Sequence, residues 1–172
     1  MRQLILYVAG RCAGAEFFGA VKLNKILWKA DFDSYAERGV PVTGREYQRL
    51  ELGPAPKEMA PLHRDMVEAG QIRVEVRKFT NEIEEHRTIA LAEPDLSKFN
   101  DEDLRFVENS IRYYWNLTGR ETSDDSHGAA WKTHYNGDTL FYELSRLSDK
   151  PLSQRMYRRL LGRARAAGWL SF

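Results

Sequence analysis

The stretch from about Gly19 to Arg38 constrains this chain more than any other. Within it Leu23, Ile26, Leu27 and Ala30 recur at helical spacing as one apolar stripe, and Trp28, Phe32 and Tyr35 form a second. A charged row at every fourth position, Lys25, Lys29, Asp33 and Glu37, runs between the two. A helix with two apolar faces and only a narrow polar strip has to be packed on more than one side. The sequence therefore predicts a central helix that other elements surround. Gly39 supplies its terminating residue, and Pro41 stops it from continuing.

Those other elements are readable in outline. A first helix is expected over Met1–Cys12, with Leu4, Tyr7 and Val8 at helical spacing. Residues 40–57 carry Gly44, Gly53, Pro54 and Pro56 and read as loop with short extended pieces. A helix over about Lys57–Ala69 follows, bearing Met59, Leu62, Met66 and Val67. Next, Ile72 to Arg77 alternates with period two, and Glu84–Leu91 offers an antiparallel partner with Arg87, Ile89 and Leu91 on one face. The connection between them is hydrophilic, with Asn81 and Glu82. Asn100 and Asp103 form a capping-box pair opening a helix that carries Leu104, Val107, Ile111, Tyr114 and Trp115 and runs to near Gly119. Ser126–Tyr135 reads as a short helical turn ended by Gly137-Asp138. Ser153 caps a last helix over 153–168 whose Met156, Leu160, Ala164 and Ala167 are expected to face the core, with Trp169, Leu170 and Phe172 folding back as an anchor. The expected class is α+β, mainly helical: one domain over 1–172 with a single antiparallel hairpin, since 172 residues suffice for one core and are short for two.

Charge narrows the function classes. The net charge is +1, yet residues 151–172 contain Arg155, Arg158, Arg159, Arg163 and Arg165 with no acid, so the other 150 residues sum to −4. Arg155, Arg158, Arg159 and Arg163 cluster on one side of the last helix and could meet nucleic-acid phosphates; they could equally be a solvated face whose late arginines complement the helix dipole. Cys12 is the only cysteine, which excludes an intrachain disulfide and any cysteine-based metal site and fits a reducing compartment. No apolar run approaches a membrane span, and Leu4–Ala9 lacks a signal-peptide layout, so the expected location is the cytoplasm.

Catalytic readings fare poorly. Asp31, in the most apolar helix, fits a hydrogen-bonded acid that fixes a neighbouring loop, through His127 or an arginine, better than a functional carboxylate, which needs a cleft. Asp124, Asp125, His127 and His134 are metal-capable types, but their spacing matches no strong zinc pattern, and no metal or cofactor is expected. Adjacent Ser126 and His127 do not make a nucleophile–base pair, and no nucleophile elbow is present. The Gly53-Pro-Ala-Pro56 run lacks the Lys-Ser/Thr ending of a phosphate loop, and its prolines remove backbone donors. It reads as a rigid exposed turn, which loses little entropy on docking.

Three patterns then stand out: Lys22-Leu-Asn-Lys25-Ile-Leu-Trp28, Tyr47 leading into Leu52-Gly53-Pro54, and Ser126-His127 followed by Trp131. In this order they resemble the antitoxin SocA-like Panacea family over roughly residues 1–145. Leu52 and Ala55 stand where that family commonly has Tyr and Val. The resemblance implies a non-catalytic protein that neutralises a cognate toxin by direct binding, or delivers it to a protease. The expected contact residues are Tyr47, Leu52, Gly53 and Pro54, with His127 and Trp131 nearby, aromatic anchors being common at binding hot spots. Trp131 is also open to a core reading. The alternative function is a small nucleic-acid-binding regulator using the C-terminal arginines.

Overall fold

A computed structural model describes residues 1–80, 84–147 and 153–168. The expected loop residues Asn81 and Glu82 and the anchor Trp169, Leu170 and Phe172 lie outside them. The class is α+β, as the sequence predicts, with mostly helical elements and two small antiparallel sheets.

Helix α1 (Arg2–Arg11) buries Leu4, Ile5, Leu6, Val8 and Ala9. Helix α2 (Ala20–Arg38) is the central element that its two apolar stripes require, and Gly39 closes it at φ 76° with its N–H on Tyr35 O. Against α2 pack α1, helix α4 (Asp101–Tyr114), helix α5 (Gly119–Asp125), strand β2 (Gly53–Pro56) and a 3-10 turn over Tyr142–Arg146. Leu23, Ile26, Leu27 and Ala30 join the main core with Phe106, Val107, Ile111 and Tyr114 of α4, while Phe32 builds a second cluster with Tyr47 and Leu140. One expectation for α2 fails. Lys25 belongs to no solvent strip: it is 1% exposed, and so is Lys22, whose Nζ donates to Trp115 O. The strip is narrow enough for neighbours on both sides to close over its N-terminal end, leaving Lys29 and Asp33 as the outer i,i+4 ion pair at 3.0 Å.

The 40–57 stretch is more regular than its glycines and prolines suggest. Strand β1 (Tyr47–Leu50) pairs with β2 from Tyr47↔Pro56 to Leu50↔Gly53, and β5 (Thr139–Leu140) adds a short third strand on the other side of β1. The order β2-β1-β5 makes β2 an edge, which is where prolines can stand in a sheet because they owe no N–H to a neighbour. So a second sheet joins the expected hairpin.

The expected hairpin is β3 (Ile72–Lys78) with β4 (Glu84–Ala90), in register from Ile72↔Ala90 to Lys78↔Glu84. Its burial departs from the alternation read in the sequence. Val74 and Val76 are half exposed and Leu91 lies outside the core, whereas Glu85 and Arg87 are buried. The reason is the α1–α2 connection, which the charged pair grips. Arg87 donates to the carbonyls of Ala15 and Cys12 and lies beside Glu85, and Glu85 accepts the Phe18 N–H at 2.7 Å.

Helix α3 (Met59–Glu68) stops at Gly70, as expected, but buries only Met66 and leaves Val67 outside. The Asn100–Asp103 capping box is present in both directions, 2.8 and 3.1 Å. Helix α4 ends at Tyr114 rather than near Gly119, because Thr118 and Glu121 form a capping box of their own and start α5. Trp115, past the end of α4, is partly exposed instead of core. Ser153 does cap the last helix, α7 (Gln154–Ala166), accepting from Met156 N. Its Met156, Leu160, Ala164 and Ala167 do not face the core; α7 buries none of its residues.

Candidate partner-binding surface

The β1–β2 turn is where the three sequence patterns meet. Three carbonyls in alternate positions along it, those of Leu50, Leu52 and Pro54, each accept from a side chain, and a different element serves each. Trp131 Nε1, on helix α6 (Ala129–Lys132), donates to Leu50 O at 2.8 Å. Ser123 Oγ, on α5, donates to Leu52 O at 3.0 Å. Lys25 Nζ, on α2, donates to Pro54 O at 2.9 Å. Ser126 Oγ donates to Ser123 O at 2.7 Å and closes the last turn of α5 beside the tip. Three carbonyls along the reversal are thus held by side chains from outside the hairpin.

Gly53 is the pivot. Its φ of 96° lies in the left-handed region, and a side chain there would start well inside contact distance of Ser126 Oγ and 2.7 Å from Lys25 Cε. Glycine is required twice over, for the backbone angle and for the space. Burial drives the Lys25 amine down to about 7, so the group that pins Pro54 loses its proton within the neutral range.

At the other end of β1 sits Asp31, fully buried. It accepts hydrogen bonds from Thr43 N at 2.6 Å, from Thr43 Oγ1, and from Tyr47 OH at 2.7 Å, with Tyr142 OH at 3.5 Å. Burial pushes its carboxyl upward against the pull of those donors. Asp31 is the acid that fixes a loop, as expected, but through Thr43 and two tyrosines, not through His127 or an arginine. The phenol of Tyr47 is in turn held far above its ordinary value by burial and the Asp31 charge.

These facts divide the expected contact residues. Tyr47 is 0% exposed and points into the second core cluster, so it supports the turn from beneath. Gly53 and Pro54 are buried, which corrects the reading of this run as an exposed turn: Lys25 and Ser126 occupy the side it would have shown to solvent. Of the expected turn contacts only Leu52 projects, 58% exposed, beside the exposed Glu51. Next to it His127 stacks on Trp131 with ring centroids 3.8 Å apart and planes 16° from parallel, and the Arg49 guanidinium lies 3.9 Å from the same indole. Burial, then the charge of Lys25, holds the His127 imidazole below its usual value. Tyr135, 83% exposed, follows on the loop whose Gly137 donates to Arg49 O.

Sequence reasoning missed Lys25 as a turn anchor, Ser123, Arg49 and Tyr135. Lys25 carried a signal, its place between two apolar stripes; Ser123 and Arg49 carried none. The metal-capable residues scatter. Asp125 accepts from Tyr113 and Tyr114, His134 Nδ1 lies 2.7 Å from Ala130 O, and among the described residues no three metal-ligating side chains converge. Burial raises the Cys12 thiol to about 12, far from a nucleophile. Arg155, Arg158, Arg159 and Arg163 are all exposed on α7, apart from the turn surface in sequence. Among the described residues no helix is long and apolar enough to cross a membrane.

Fold and surface together define an α+β scaffold organised around one side-chain-pinned hairpin tip. The family model of the antitoxin SocA-like Panacea domain matches residues 23–132, and the chain belongs to that family. The match runs from α2 through β1, β2 and both sides of the second hairpin to the end of α6, and so contains Lys25, Gly53, Ser126 and Trp131. No curated protein and no solved structure matches the chain.

Proposed function

We propose that this chain is an antitoxin that neutralises a cognate toxin protein by binding it at the β1–β2 tip, without catalysis. Leu52 is the central contact, flanked by His127, Trp131, Arg49 and Tyr135, while Tyr47, Gly53 and Pro54 hold the tip in shape. The observation that carries the reading is the exposed Leu52 on a turn whose carbonyls at 50, 52 and 54 are all pinned by side chains. An apolar knob on a preorganised turn docks with little loss of conformational entropy. The aromatic and arginine neighbours are of the types enriched at binding hot spots. Family membership supplies the class of partner.

Co-expression with the product of the adjacent reading frame tests this reading. A toxin-type neighbour should be harmless only when the chain is present and should co-purify with it. Leu52→Asp should weaken the complex by at least about tenfold, as loss of a buried apolar anchor does. A harmless neighbour that forms no complex would end the antitoxin reading; an undiminished complex with folded Leu52→Asp would move the interface elsewhere.

A further inference from the structure

Among the described residues, helix α7 is the one long helix with no fully buried residue. None of its thirteen residues is fully buried, only Leu161 and Ala164 being half-buried, and it lies beyond residue 132, where the family match ends. At about 100° per residue its two sides are distinct in kind. Arg155, Arg159 and Arg163 repeat every fourth position with Arg158 beside them, and no acid interrupts them. On the opposite side run Met156 and Leu160, continued by Ala164, with Tyr157 and Leu161 next to them. Met156, Tyr157 and Leu160 are 47%, 55% and 43% exposed. A helix stabilised on its own is marginal at this length. Among the described residues none covers Met156, Tyr157 or Leu160 fully, so the apolar side of this amphipathic helix is open to a partner.

We infer that α7 is a second partner-binding element, taken into an apolar groove with carboxylates along its rim on the cognate protein. The inference rests on the antitoxin reading and deepens it by naming the chemistry of the partner. Charge complementarity selects the acidic rim: five arginines with no acid make residues 153–168 the only strongly basic segment of a chain that is otherwise net acidic. The apolar side selects a protein over a nucleic acid. Phosphates would engage the arginines and leave Met156, Tyr157 and Leu160 in water, whereas a groove covers one side and salt-bridges the edges of the other. Arginine suits such a rim because its planar fork binds carboxylates in pairs.

The test uses the full chain and the co-purified product of the neighbouring reading frame. Two variants leave the β1–β2 tip untouched: Leu160→Asp on the apolar side, and Arg155→Gln with Arg158→Gln and Arg159→Gln on the other. Since Leu160, Arg155, Arg158 and Arg159 are exposed, both should unfold at the parent's urea midpoint. Each should raise Kd at least about tenfold. The arginine variant should also slow association and flatten its salt dependence. Parent-like Kd for both variants would overturn the inference while leaving the tip reading standing; failure of the parent to form any complex would remove the tip reading first. Retention of a short DNA duplex, or of vesicles containing phosphatidylserine, that depends on these arginines while the protein complex is unaffected would also overturn it.

Discussion

Replacing Gly53 by alanine should cost this protein more stability than any other single-methyl addition. The new Cβ would meet Ser126 Oγ well inside van der Waals distance and stand 2.7 Å from Lys25 Cε and 3.0 Å from its Nζ. Neither neighbour is a free surface chain, since both are 1% exposed and hydrogen-bonded. The backbone contributes separately, because φ of 96° is strained for a residue with a Cβ by roughly 1–3 kcal/mol. Overpacking adds about 1–3 kcal/mol, and displacing Lys25 from Pro54 O leaves a buried acceptor unpaired at about another 1–3 kcal/mol. These effects share one set of atoms and overlap, so the expected loss is about 3–6 kcal/mol, a large part of an ordinary domain's stability. Urea unfolding followed by far-UV circular dichroism measures it. Adding Ser126→Ala removes the closest obstruction, so the double variant should be less destabilised than the sum of the two singles. A loss below about 1 kcal/mol, or strict additivity with Ser126→Ala, would refute the convergence of the three motifs on this residue.

Further outcomes follow from the same geometry. The Lys25 amine, lowered to about 7 in the fold against 10.5 when unfolded, binds fewer protons folded than unfolded between those values. Its burial cost is therefore full below pH 7 and is relieved as pH rises toward 10.5. Parent stability should climb relative to Lys25→Met over that window by up to about 1.4 kcal/mol per pH unit, and a constant difference between the two would contradict the buried amine. Tyr47→Phe should lose about 1–3 kcal/mol by stripping Asp31 of a buried donor, yet bind the partner normally once folded; weakened binding by a fully folded variant would make Tyr47 a contact after all. Arg87→Met should cost about 3–5 kcal/mol by leaving the buried Glu85 without its counter-charge. Amide exchange should then quicken first between Cys12 and Phe18, and an unchanged rate there would detach that connection from the hairpin.

What the sequence made legible was whatever periodicity and capping control. The double stripe of α2 demanded a central helix, Asn100 with Asp103 announced α4, and Ile72–Arg77 with its partner marked the second hairpin. The β1–β2 hairpin stayed hidden because its prolines argue against a strand until the edge position of β2 is known. Lys25 looked solvated because a four-residue charge row says only that the charges share a face, and burial of that face depends on what the hairpin and α5 do later in the chain. Val74 and Val76 misled in the opposite sense: alternation tells the two faces of a strand apart, but the buried face was decided by Arg87 and Glu85 gripping the α1–α2 connection. The candidate surface was legible as a neighbourhood, since its three motifs do meet, but not residue by residue. Which of Tyr47, Leu52, Gly53 and Pro54 projects is set by contacts from α2 and α5 that no local pattern encodes.

Hydrogen–deuterium exchange on the chain alone and in complex with the neighbouring gene product tests the central claim most directly. Exchange should slow at 49–53 and across 127–135 on complex formation, with α3 unchanged. Protection confined to α3 or to the β3–β4 hairpin, with the Leu52 turn exchanging as in the free chain, would contradict it.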